Sequence, residues 1–169
     1  MPLNTGKNNS KKRNRHGAEG LYYSLSTNCI YDFKALPDCE YFGSKWEHRV
    51  YMAVRQMVPD ECISLHEIIP MKPATERYKP MGLNVDIVTR PSASHPWVPY
   101  LLIDPKGEIL PEFKRNVKLL EYFNPEAYSK LLVVGDYEPL KIDQYLSTIQ
   151  LHTLLNFLQS HKLKTVSIV

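Results

Sequence analysis

The chain has 169 residues and a formal net charge of +3, and 43% of its residues are hydrophobic, which is enough to build the core of a single domain. No apolar run approaches ~18 residues, so we expect no membrane-spanning helix. The polar N-terminus lacks the apolar core of a secretory signal. We therefore expect a cytoplasmic protein, free in the cytoplasm or associated with the nucleoid.

The cysteines give no sign of a metal or disulfide framework. Cys29, Cys39 and Cys62 are odd in number and show neither a CxxC motif nor a pairing with histidine at metal-ligand spacing. We expect reduced, structural thiols in a reducing compartment.

The N-terminal segment is strongly basic and almost without apolar residues, so we predict that residues 1–19 form a disordered arm. No acidic residue precedes position 17, and the basic residues there include Lys11, Lys12, Arg13 and Arg15. These side chains either follow the phosphate backbone of DNA or serve as a solubilising tail. Residues 20–169 are predicted to form the single folded domain.

The first part of that domain is ambiguous until a helix begins at position 44. Residues 20–42 are rich in aromatic and β-branched residues but carry turn formers, so short strands and an ordered loop are both possible. Ser44 followed by Glu47 is a capping box, which predicts a helix of about four turns over residues 44–58. The next apolar run, CISLHEIIP at residues 62–70, predicts a strand ended by Pro70 and Pro73.

The stretch from 81 to 107 carries the most unusual polar residues. Asp86 interrupts the apolar run LNVDIV and Asp104 interrupts YLLIDPKG, and the Pro- and Ser-rich segment between the runs predicts that they are neighbouring strands of one hairpin. Acidic residues are rarely buried in strands unless they are paired or bind a metal. Lys106 shares a strand face with Asp104, because side chains alternate.

Helices and one more strand complete the predicted sheet. Pro111 suits the first turn of a helix that Asn124 and Pro125 end, and residues 130–136 read as a short buried strand. An amphipathic helix follows, and KTVSIV at residues 164–169 is a candidate edge strand. The stripe of that last helix consists of Leu151, Leu154, Leu155 and Leu158. This order predicts an α/β fold with a mixed β-sheet flanked by helices.

Two aspartates on adjacent strands, with Glu47 as a possible third carboxylate, form an oxygen-rich cluster suited to Mg²⁺ or Mn²⁺. Such an ion polarises a phosphoryl oxygen and lowers the pKa of a bound water. Lys106 would add fixed positive charge for the transition state. These are the parts needed to hydrolyse a phosphodiester.

The order Glu47, Asp86, Asp104-x-Lys106, together with the elements around it, resembles the PD-(D/E)xK nuclease superfamily. The resemblance covers about residues 40 to 136, where FGSKWE and DPKG followed by FKRNVKLLEYFNP are similar to motifs of small phage and mobile-element nucleases. These include phage Holliday-junction resolvases, head-completion nucleases and transposon-end nucleases. The resemblance implies a restriction-endonuclease-like fold and a DNA endonuclease that depends on Mg²⁺ or Mn²⁺.

The same resemblance implies roles for individual residues. Glu47 would be the acidic residue of the first helix, Asp86 the metal-bridging aspartate, and Asp104 with Lys106 the (D/E)xK pair. The carbonyl of Pro105 would lie near the metal. Since proline cannot donate to a central strand, either the strand is bulged at Pro105 or Lys106 lies at its end.

DNA is the expected partner. The basic residues Lys114, Arg115 and Lys118 fall together on the helix after the active strand, where they either contact DNA or form a solvated helix face. A homodimer, or other subunits of a DNA-processing complex, would fit an enzyme that cuts two strands. The alternative function is a catalytically silent nuclease-fold module for DNA binding or assembly.

Overall fold

The computed structural model describes residues 19–166. The predicted N-terminal arm, with Lys11, Lys12, Arg13 and Arg15, therefore lies outside the described residues, apart from Glu19. By its contacts the chain divides into two compact units, Met1–His48 and Arg49–Val169, and each is described by itself.

The described part of the first unit contains a small antiparallel sheet. Its strands are β1 (Leu21–Ser24), β2 (Ile30–Tyr31) and β3 (Cys39–Phe42), in the order β2-β1-β3. The buried side chains of Tyr23 and Phe42 are the large apolar groups of this sheet. Of the two possibilities for residues 20–42, short strands are thus the observed one.

Helix α1 (Lys45–Arg55) begins where the capping residues predict. The Ser44 hydroxyl oxygen accepts a hydrogen bond of 3.1 Å from the Glu47 backbone N–H, which satisfies a donor that a helix start leaves without a partner. The helix ends at Arg55, slightly earlier than predicted, and residues 56–58 form turns.

The second unit is built on a mixed sheet, as the sequence predicts, and the sheet has five strands. The strands are β4 (Ile63–Lys72), β5 (Met81–Thr89), β6 (Leu101–Lys106), β7 (Leu131–Gly135) and β8 (Ile149–Gln150). Their order is β4-β5-β6-β7-β8. The pairs β4–β5 and β5–β6 are antiparallel, so the predicted hairpin is confirmed, whereas β6–β7 and β7–β8 are parallel.

The helices of this unit are α2 (Pro111–Phe123), α3 (Pro125–Tyr128) and α4 (Leu151–Val166), and one 3-10 turn spans Asp60–Cys62. Pro111 occupies the first turn of α2 as predicted. The short helix α3, whose first turn is capped by the Asn124 side chain, was not predicted.

Two predicted boundaries are wrong. Strand β4 continues through Pro70 to Lys72; β4 is the outermost strand of its sheet, and a proline there costs few ladder hydrogen bonds. Residues 164–166, predicted as the start of an edge strand, belong to helix α4. The remainder of that predicted strand lies outside the described residues.

Helix α2 covers one face of the sheet. Its buried Val117 and Leu120 pack with strand residues that include Leu83, Leu102 and Val133. In α4, Leu154 and Leu158 are fully buried, so the predicted apolar stripe faces the interior at these positions. No helix within residues 19–166 has the length and apolar character needed to cross a membrane.

Candidate functional site

Asp86 and Asp104 approach each other where strands β5 and β6 stop pairing. The last registered pairs run from Thr89↔Leu101 to Ile87↔Ile103. In an antiparallel pair the next positions along the two strands also oppose each other, and these are Asp86 and Asp104. The pairing register thus places two carboxylates at the open end of the hairpin.

Lys106 joins the two aspartates. Its ammonium forms an ion pair with Asp104 Oδ1 and lies 3.5 Å from Asp86 Oδ2. On its other side the same ammonium lies 5.1 Å from the ring centroid of Phe113, in the first turn of α2, a distance at which a cation is attracted to an aromatic face. The three residues of the predicted motif that lie in the second unit are therefore brought together.

The electrostatics of this cluster are dominated by Asp104, whose side chain is only 1% exposed. Burial raises the pKa of Asp104 well above its ordinary value, although the Lys106 ammonium opposes that effect. The neighbouring Asp86 carboxyl raises the pKa of Asp104 further. The Lys106 ammonium is thus the counter-charge of two acidic side chains, and the cluster favours additional positive charge.

The donor set fits a hard divalent cation. Asp104 Oδ2 is buried, and no donor among the described residues hydrogen-bonds to it. A buried carboxylate oxygen without a donor is costly unless a cation contacts it. Carboxylate oxygens are the ligands that Mg²⁺ and Mn²⁺ prefer, so Asp86 and Asp104 could hold either ion.

Pro105 does not disturb this arrangement, because Lys106 is the last residue of β6 and Pro105 lies beyond the β5–β6 pairs. The Leu102 N–H donates to Lys130 O on the β7 side. Successive N–H groups of a strand alternate in direction. An N–H group at residue 105 would therefore point towards β5, past the last pair at Ile87↔Ile103. A proline there removes no ladder hydrogen bond. Of the two possibilities raised by the sequence, the strand-end position is the observed one.

Glu47 lies on α1 in the first unit, with its side chain mostly buried at 7% exposure. Its Oε2 accepts a hydrogen bond of 2.8 Å from the Gly43 N–H, as expected of a carboxylate at a helix N-terminus. These contacts give Glu47 a structural role at the start of the helix. Its role as a third metal ligand stays a prediction, as does that of the Pro105 carbonyl.

The basic residues predicted to contact DNA lie on α2. Arg115 and Lys118 are exposed and Lys114 is half-buried. Arg115 has only a loose ion pair with Glu112, at 3.9 Å and with both side chains well exposed. Such surface pairs contribute little, so the positive charge of Arg115 is available to a partner.

His66 is a residue of the site that the sequence did not reveal. His66 lies on β4 between Leu65 and Glu67. Leu65 pairs with Ile87 and Glu67 pairs with Val85, so the position opposite His66 on β5 is Asp86. A ring nitrogen of His66 lies within 4.8 Å of an Asp86 carboxylate oxygen. A single histidine in an apolar strand does not indicate a functional site in the sequence. Only the pairing register of the two strands brings His66 to Asp86.

Glu67, the residue after His66 on β4, has a structural partner. Its two carboxylate oxygens accept hydrogen bonds of 2.5 and 2.6 Å from Arg90. The bond to Arg90 is the main cause that lowers the pKa of Glu67. This two-point pair ties β4 to the end of β5 and leaves Asp86 and Asp104 as the acids of the site in this unit.

Comparisons of the chain with protein-family models, with curated proteins and with solved structures found no match.

Proposed function

We propose that the protein is a metal-dependent DNA endonuclease of the PD-(D/E)xK superfamily, with a restriction-endonuclease-like fold. The observation that carries the proposal is the convergence of Asp86, Asp104 and Lys106 from two strands onto one point. A buried aspartate in a central strand is costly, and a metal-binding role explains why the cost is tolerated.

The order of elements supports this proposal. Helix α1 precedes the hairpin that carries the two aspartates, and α2 and the parallel strand β7 follow it. The same succession of helix, hairpin, helix and strand accompanies the motif in the superfamily that the sequence resembles. The α/β class with a mixed sheet is observed, and the restriction-endonuclease-like arrangement is the finer part of the proposal.

The reaction would be hydrolysis of a phosphodiester. A bound Mg²⁺ or Mn²⁺ supplies Lewis-acid stabilisation of the phosphate and a water of lowered pKa. Asp86 and Asp104 hold the ion and offset its charge. Lys106, which contacts both carboxylates, presents an ammonium that neutralises charge developing on a phosphate oxygen.

The proposed substrate is DNA, because positive charge lies on the helix that follows the site. Arg115 and Lys118 are exposed on α2, and Phe113 of the same helix contacts the Lys106 ammonium. Helix α2 is thus attached to the site at its first turn. Basic residues placed in this way position a phosphate backbone without reading its sequence.

A cleavage assay tests the proposal. Supercoiled plasmid, a four-way junction, a flap and single-stranded DNA are incubated with the protein and Mg²⁺ or Mn²⁺, or with EDTA. We expect metal-dependent product from the wild type and none from Asp86→Asn or Lys106→Met, provided that circular dichroism shows both variants folded. Cleavage that survives in both variants would refute the assignment.

One observation favours a second candidate, a catalytically silent module that binds DNA or supports assembly. Lys106 already pairs with both aspartates, so part of their charge is neutralised within the protein itself. Such a module would retain its DNA affinity in EDTA and form no product with either metal. The same substrate panel therefore distinguishes the two functions.

A further inference from the structure

The backbone of His66 departs from the strand around it. Its φ angle is 54°, and within residues 19–166 the only other residue besides glycine with positive φ is Asn28. Positive φ is uncommon for a side chain with a Cβ atom and costs of order 1–3 kcal/mol. Strain of this kind persists where the surrounding structure enforces it, and it clusters at functional sites.

The strained position is also the one opposite the candidate metal ligand. The pairs Leu65↔Ile87 and Glu67↔Val85 flank His66, and Asp86 is the residue between the two partners on β5. The irregular backbone therefore lies at the level of Asp86.

The distance between the two side chains suits a shared ion. A ring nitrogen of His66 and a carboxylate oxygen of Asp86 lie within 4.8 Å of each other. Two ligands with bonds of about 2.1 Å to one ion are at most about 4.2 Å apart. Modest adjustments of the two side chains would bring both atoms to the same cation.

We propose that His66 is a ligand of the metal held by Asp86 and Asp104, which makes this a mixed nitrogen and oxygen centre. The inference rests on the proposed function and names the class of ion that the site takes. Imidazole nitrogen suits transition metals, whereas Mg²⁺ prefers oxygen alone. The site should therefore favour Mn²⁺ over Mg²⁺.

Calorimetric titration with Mn²⁺ and with Mg²⁺ tests this assignment in the full chain without DNA. His66→Asn removes the imidazole while keeping a residue that tolerates positive φ. His66→Gly removes it without any backbone strain and guards against a folding defect. His152→Asn is the matched control, because His152 is exposed on α4 and belongs to no group of candidate metal ligands among the described residues.

We expect tighter binding of Mn²⁺ than of Mg²⁺ by the wild type. Both His66 variants should weaken Mn²⁺ binding by about tenfold or more, as expected for the loss of a ligand, with a smaller change for Mg²⁺. His152→Asn should leave both affinities unchanged. Pulsed electron paramagnetic resonance of the Mn²⁺ complex should detect a coordinated imidazole nitrogen in the wild type and not in His66→Asn.

Asp104→Asn separates this inference from the function on which it rests. If Asp104→Asn abolishes Mn²⁺ binding while both His66 variants bind as the wild type does, His66 is not a ligand and the metal centre remains. If the wild type binds neither ion, the proposed function fails and the inference fails with it.

Discussion

Lys106 Nζ lies 3.5 Å from Asp86 Oδ2 and also forms an ion pair with Asp104, so one ammonium bridges the carboxylates of two strands. This relationship predicts that Lys106→Met destabilises the metal-free protein at neutral pH. Two neighbouring carboxylates would lose their counter-charge, at a cost of about 1–3 kcal/mol after allowance for partial exposure. Urea denaturation in EDTA measures the loss, and Mn²⁺ should restore part of it. A variant as stable as the wild type in EDTA would show that the bridge is not stabilising.

The buried Asp104 predicts a pH dependence of stability. Its folded-state pKa is raised above the value in the unfolded chain, mainly by burial. The folded state therefore binds this proton more tightly, and the stability from this group is fully present below the unfolded pKa of about 3.9 and is lost as pH rises through the folded pKa.

Asp104→Asn removes that dependence. The stability of the variant relative to the wild type, measured in EDTA, should increase as pH rises from about 4 to 7. The comparison isolates Asp104 from the other titrating groups, which both proteins share. A difference that stays constant with pH would contradict a raised pKa for Asp104.

The pair of Glu67 with Arg90 predicts a structural phenotype without a catalytic one. Glu67→Gln should lower the free energy of unfolding by about 0.5–1.5 kcal/mol, because a two-point ion pair is lost at a partly exposed position. Cleavage by the folded variant should stay within about twofold of the wild type. Loss of cleavage with normal stability would place Glu67 in the site instead.

Pro105 is expected to be replaceable. Alanine would add an N–H that points past the last β5–β6 pair, and the unfolded chain would gain freedom worth about 0.4–1 kcal/mol. Pro105→Ala should therefore fold with slightly reduced stability and keep its activity. A large loss of stability would mean that the proline ring itself is needed to end the strand.

The exposed basic residues of α2 predict salt-dependent DNA binding. Arg115→Ala and Lys118→Ala should each weaken DNA affinity similarly across sequences and reduce the slope of log affinity against log salt by about one. Fluorescence anisotropy at several salt concentrations measures both quantities. An unchanged slope would indicate that these side chains form only a solvated helix face.

Much of the second unit could be predicted from local patterns. The carboxylates of Asp86 and Asp104 stand out in apolar runs, and the turn residues between the runs predicted the hairpin that brings them together. Pro111 and Asn124 predicted both ends of α2. Patterns of this kind are local, and they confine each residue to one type of element.

The features that were missed depend on register and on position in the sheet. His66 meets Asp86 only because β4 and β5 pair as they do, and no spacing in the sequence encodes that pairing. Pro70 predicts the end of a strand by its residue type, but the strand continues through it because β4 is outermost. Likewise Pro105 is harmless only because the β5–β6 pairing stops before it.

The most direct test of the central claim is single-turnover cleavage of DNA with Mn²⁺ by the wild type, Asp104→Asn and Asp60→Asn. Asp60 pairs with Arg55 before the start of β4, so its variant controls for the loss of a carboxylate elsewhere. We predict cleavage by the wild type and Asp60→Asn and a fall of at least about a thousandfold for Asp104→Asn. Equal cleavage by all three proteins, or none by the wild type on any DNA of the panel, would contradict it.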